Sequence, residues 1–120
     1  MAYKSFEDLE VWKKACRIAV RIYEILKNCR EYGLKDQMTR AAVSVASNIA
    51  EGAERDSVRE FVRFLNIAKG SAAELRTQFY IAFKIGIISG AEKDELIQEI
   101  KTVSSMLQGL IRQQKGKINT

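Results

Sequence analysis

The 120-residue chain has no histidine, no proline, two cysteines and seven glycines. Each shortage excludes something. Without histidine, a proton-transfer site would have to use a carboxylate, lysine, tyrosine or cysteine. No Glu-x-x-His pair is present to build a di-metal site inside a helical bundle. Cys16 and Cys29 stand 13 positions apart without a CxxC spacing, and read as small core residues rather than a disulfide or a metal pair. No apolar run approaches the roughly 18–20 residues of a membrane span. The opening "MAYKSFEDLE" is too polar for a secretory leader. The expectation is a cytoplasmic protein with reduced thiols, no membrane partner and no cofactor.

What is present points to helix. Hydrophobic residues make up 47%, and Ala, Leu, Ile, Lys, Arg and Glu are plentiful. One domain, 1–120, is the default at this length. Helices are expected at about 6–29, 34–52, 57–86 and 90–114. Ser5 with Asp8 opens the first, and Gly33 is read as its stop. Gly52 is read as the residue that permits the second turn. Ser57-Val-Arg-Glu60 and Ser89-Gly-Ala-Glu92 read as capping boxes, and Gly86 closes the third helix. The tail "QQKGKINT" reads as frayed. No strand shows a period-two pattern. Short loops between long helices predict an all-α, antiparallel up-down-up-down four-helix bundle.

The first helix carries two apolar seams at three- and four-residue steps. One is Leu9, Trp12, Cys16, Ala19, Tyr23, Leu26. The other is Val11, Ala15, Ile18, Ile22, Ile25, Cys29. Two seams exceed what one neighbour needs, and the surplus at Val11, Ala15, Ile18 and Ile22 is assigned to a subunit interface. In the third helix, Phe61, Leu65, Ala68, Ala72, Leu75, Phe79 and Ala82 form an unbroken core seam. A second seam there has apolar ends and a polar middle at Ser71, Glu74 and Gln78. Ser44, Asn48, Glu51 and Arg55 flank the apolar face of the second helix. Folding back at 52–56 brings these sets level. Ser44, Asn48, Glu51, Ser71 and Glu74 are thus candidates for a network that fixes helix register, for an oligomer contact, or for a ligand site. A half-buried carboxylate there needs a donor.

The formal charge is +5, from 20 basic and 15 acidic residues. That balance favours polyanions without proving any. Lys13, Arg17 and Arg21 recur every four residues, as do Arg55, Arg59 and Arg63, so each set lines one helix side. These six are the candidate phosphate contacts, for RNA or DNA. Glu10, Glu24 and Glu60 lie close enough in sequence to pair with them, which would make the strips plain solvated surface.

"SFEDLEVWKKA" and "QMTRAAVSVASNIAEGAERDSVREFVRFLNIAKGSAAELRTQ" resemble the four-helix-bundle family encoded in intervening sequences of bacterial 23S rRNA genes. The match runs from Phe6 to about Gln78, and pairs "SNIAEG" with "AKGSAAEL". The family motif falls on Ser47, Asn48, Glu51, Gly52, Arg55, Ser57, Glu60, Phe61, Gly70, Ser71, Glu74 and Leu75, read as a structural signature. The resemblance implies a left-handed bundle, a ring-shaped homopentamer and no established enzymatic activity. A similar fold occurs in the accessory protein of diversity-generating retroelements, a basic pentamer that works with nucleic acid. Three functions compete. The leading one is a non-enzymatic nucleic-acid-associating oligomer, the alternative is a protein-interaction scaffold without nucleic-acid binding, and an enzyme using Glu51 or Glu74 ranks last. Basic strips forming one continuous face favour the first, and strips broken by carboxylates favour the second.

Overall fold

Residues 5–118 are described by the structure, a computed structural model. Four helices follow a short 3-10 turn at Phe6–Asp8: α1 (Glu10–Ile25), α2 (Tyr32–Ala53), α3 (Val58–Lys84) and α4 (Gly90–Ile118). They form an antiparallel four-helix bundle of 50 × 20 × 19 Å. Neighbours in sequence are neighbours in space, and α4 returns to α1. The α2–α3 and α3–α4 contacts are the most extensive, and α1–α4 is the slightest.

The seams fill the interior as the helical period requires. Leu65, Ala68, Ala72, Leu75, Phe79 and Ala82 of α3 are all 0% exposed. They meet Met38, Ala42, Val45 and Ile49 of α2 and Leu96, Ile100, Val103 and Leu107 of α4. Of the two seams on α1, the inner one is Val11, Ala15, Ile18 and Ile22, at 4% exposure or less. That overturns its assignment to a subunit interface: these side chains complete the chain's own core. Trp12 and Cys16 of the other seam are only half-buried, and Tyr23 is exposed.

Several boundaries move for identifiable reasons. Ser5 caps the 3-10 turn rather than α1, accepting from the Glu7 N–H. Leu9 is extended, and Phe6 folds back edge-on to Trp12, with ring centroids 5.2 Å apart. Gly33 does not stop α1. The helix ends at Ile25, and Gly33 lies in the first turn of α2. Lys35 Nζ, from α2, reaches back to the Lys27 carbonyl just past that end, where a cation suits the exposed carbonyls. Gly86 does close α3. Its φ is +82°, Ile87 N–H donates to Ala82 O, and Gly86 N–H donates to Phe83 O, which is the Schellman arrangement. The Ser89–Glu92 box is reciprocal. The Ser57 box is half made: Ser57 Oγ accepts from Glu60 N–H, but the Glu60 carboxylate turns to Arg63. The C-terminal segment is helical through Ile118, because Gln114 is buried and Ile118 packs against the core. Asn119 and Thr120 lie outside the described residues.

Gly52 is not a turn residue. It is buried in the last turn of α2, against α3. A Cβ there would lie 2.6 Å from Phe64 Cβ, 3.2 Å from Phe61 Cδ1 and 3.3 Å from Phe61 O. Since Phe64 Cβ cannot swing away, Gly52→Ala should cost roughly 1–3 kcal/mol through overpacking. Leu75→Ala, in the fully buried seam, should cost about 2–5 kcal/mol. Chemical denaturation measures both. A Gly52→Ala protein as stable as the parent would show that the helices are free to part at this point.

Candidate functional site

"SNIAEGAERDS" becomes the last turns of α2, the turn and the cap of α3. With Gly52 holding the helices together, Phe64 sits 6% exposed under two cations. The Arg55 and Arg63 guanidinium carbons lie 4.8 and 4.5 Å from its ring centroid, within cation–π range. Each cation also has a carboxylate. Arg55 donates to Glu51 Oε1 at 3.0 Å, and Arg63 donates to both Glu60 oxygens at 3.1 and 3.2 Å. The Arg63 hydrogen bond holds the Glu60 carboxyl below its ordinary range. Arg59 is exposed and makes no ion pair among the described residues.

Further along the same helix pair, Ser44 Oγ and Ser71 Oγ are 2.9 Å apart. Asn48 Nδ2 donates to the Ser44 carbonyl at 2.8 Å and to its Oγ at 3.0 Å. Thus Ser44, Asn48 and Ser71 form one part-buried cluster between α2 and α3. Glu51 is outside it, engaged with Arg55. Glu74 is exposed and has no hydrogen bond or ion pair among the described residues. The expected donor from another helix is therefore not there among the described residues. Gln78 is 4% exposed, and its Oε1 has no partner among the described residues.

The strip on α1 is paired as well. Lys13 meets Glu10 at 3.2 Å. Arg21 bridges to α4, to Glu95 and, at 2.9 Å, to Glu99. The hydrogen bond to Glu95 raises the Arg21 pKa and fixes its charge. Arg17 is exposed and without an ion pair among the described residues. Burial raises the pKa of the neighbouring Cys16 thiol, with Arg17 pulling the other way. Cys16 and Cys29 are both free thiols. No three His, Cys, Asp or Glu side chains among the described residues are grouped to hold a metal.

Two surface features were not singled out in the sequence. A groove of about 450 Å³ lies between α1 and α2, lined almost entirely by apolar atoms of Phe6, Trp12, Cys16, Val20, Tyr23 and Val43. Val20 is 58% exposed and Tyr23 53%. A second groove, of about 530 Å³, runs between α3 and α4 and carries Lys69 and Arg76 with hydroxyl groups around them. The first was half visible as the outer seam of α1. The second is composed across two helices 30–40 positions apart, which no spacing rule along one helix detects.

This fold has known relatives. The family model for 23S rRNA-intervening sequence proteins matches residues 7–109. The chain belongs to that family. It is similar to a crystal structure, at 1.70 Å resolution, of a protein with unknown function from the S23 ribosomal protein family of Bacteroides thetaiotaomicron VPI-5482. The two share 25% identity, with a TM-score of 0.79 over 84% of this chain and 97% of that one. No curated protein matches the chain. Neither the family description nor this structural neighbour names a reaction.

The cluster makes a measurable claim. Ser71→Ala removes the cross-helix partner of Ser44 and should cost about 0.5–1.5 kcal/mol, the range of one intramolecular hydrogen bond. A denaturation midpoint unchanged from the parent would mean that water serves Ser44 equally well.

Proposed function

We propose that this protein is a non-enzymatic subunit that works by assembling with copies of itself through the apolar surface of α1 and α2. The groove around Trp12, Val20 and Tyr23 carries this reading. A monomer gains nothing by leaving Val20 58% and Tyr23 53% exposed beside one another. A second apolar strip lies on α3, where Ile67, Ile81 and Ile85 are 40, 46 and 55% exposed. Two unlike apolar surfaces on different helices favour head-to-tail contacts, which close into a ring when the rotation permits. The family resemblance puts the number of subunits at five.

An enzymatic reading finds little support. Glu51 and Glu74 are both exposed, and a general acid or base usually needs a sheltered environment to tune it. The two basic strips do not favour nucleic-acid binding either, since Lys13, Arg21, Arg55 and Arg63 are each paired with a carboxylate. Such pairing mutes the field that a phosphate would feel. By that criterion the two strips are solvated surface rather than phosphate contacts. The protein's free thiols fit a reducing compartment, so we place its action in the cytoplasm.

Light scattering at micromolar concentration should give a multiple of the 13.6 kDa chain mass. Val20→Glu with Tyr23→Glu should return it to a single chain of unchanged helicity. A monomeric parent protein would overturn the assembly reading, whereas a dimer or tetramer would overturn only the number five.

A further inference from the structure

We propose that the groove between α3 and α4 binds the phosphate backbone of a single-stranded nucleic acid. This is a different face from the apolar surface of α1 and α2, and it does not depend on assembly. Lys69 and Arg76 stand seven residues apart, on one side of α3, and both line the groove. That separation is about 10 Å along the helix. Neither cation has a carboxylate partner among the described residues. Lys69 Nζ instead donates to Gln108 Oε1 across the groove, a neutral contact that orients the ammonium group without cancelling its charge.

The absence of carboxylates from this groove follows from where α3 and α4 place them. Glu95 and Glu99 of α4 turn toward α1, where Arg21 takes them. Beyond Glu99 the sequence has no acidic residue. After Glu60, the only acidic residue of α3 is Glu74. At 100° per residue it lies roughly 140–160° around the helix from Lys69 and Arg76. On α4, Lys101 is one turn before Ser105 and Arg112 one turn after Gln108, so both extend the same side. Both are exposed, and they span about 16 Å. Asp94, about three turns before Ser105 on the same side of α4, pairs with Lys93 at 3.2 Å. The six cations of the two sequence strips are mostly neutralised, and this track is not.

The neutral groups fit the same ligand. Ser104 and Ser105 present hydroxyls within the groove, suited to phosphate oxygens and sugar hydroxyls, while Thr77 donates its own to the Ala73 carbonyl at 3.0 Å. Tyr80 lines one end and is 46% exposed. Lys93 Nζ stands over the ring, 6.0 Å from its centroid, which leaves the other face for an unpaired base to stack on. A single phosphate would need neither the length of the cation track nor an aromatic ring, so the polymer is the better fit.

Fluorescence anisotropy with labelled uridine and thymidine dodecamers tests this on the intact protein. Binding is expected at about 50 mM salt and should weaken at least tenfold by about 200 mM, as counterion release requires. Lys69→Glu with Arg76→Glu should weaken binding at least tenfold and lower the salt slope by about two. Tyr80→Ala should weaken it about tenfold without changing that slope. Arg55→Glu with Arg63→Glu alters net charge equally and should change affinity less than threefold, about 0.6 kcal/mol, as expected of cations already paired. If the Lys69/Arg76 reversal unfolds the chain by circular dichroism, Lys69→Gln with Arg76→Gln carries the same comparison. Absence of binding at low salt, equal losses from both reversals, tighter binding of duplex, or a mononucleotide bound as tightly as the dodecamer would each overturn the proposal.

Discussion

Position 52 has no room for a side chain, and the α2–α3 pair is built around that fact. The missing Cβ lets α3 approach until Phe64 and Phe61 touch the α2 backbone. Closeness at this end sets the register along the rest of the pair. It brings Ser44 level with Ser71, 27 residues on. It also places Phe64 within 4.8 Å of the Arg55 guanidinium and 4.5 Å of that of Arg63. In a dense core such contacts cannot adjust independently. The α3 seam is the spine, shared with α2 on one side and α4 on the other.

By comparison α1 is held lightly. Its inner seam is buried in the core together with Ala19 and Leu26 of the outer one, and its contact with α4 is the slightest in the bundle. The Arg21 bridges to Glu95 and Glu99 tie it to α4, but exposed ion pairs contribute only about 0–1 kcal/mol each. What anchors it is Ile22, at 0% exposure, with Val11, Ala15 and Ile18 close behind. The opposite seam is left with Phe6 against Trp12 and an open apolar groove toward Val43. A helix that gives one seam to its own fold and keeps another at the surface is suited to joining subunits.

Charge is sorted rather than scattered. Carboxylates pair with cations on α1, at the α1–α4 boundary and at the α2–α3 turn. The α3–α4 groove carries cations and hydroxyls without them. An apolar surface on one side and a basic groove on another would allow a subunit to assemble and to hold a polyanion without competition between the two. In a ring, repeated grooves would raise avidity for one strand, because each later contact is intramolecular.

The sequence alone determined the four helices, their antiparallel order and the α3 core seam, because a 3.6-residue apolar period over 20 or more positions has few other solutions. It also carried the family signature, since "SNIAEG" and "AKGSAAEL" include the Gly52 and Ser71 that the helix contact uses. The role of Gly52 was misread as a turn, because a glycine near a helix end looks the same whether it bends the chain or admits a neighbour. Which seam of α1 faces inward was likewise undetermined: both have the right spacing, and only packing against α2 and α4 selects Val11, Ala15, Ile18 and Ile22. Glu74 looked like the buried half of a pair because its seam has apolar ends, yet Ile67, Ile81 and Ile85 of that seam face solvent too. Only the tertiary structure decided which cations keep their charge uncompensated. The partners of Lys13, Arg55 and Arg63 lie three or four residues away and are open to sequence reading, but the carboxylates of Arg21 come from α4, and that α4 brings none beside Lys69 and Arg76 is a matter of packing.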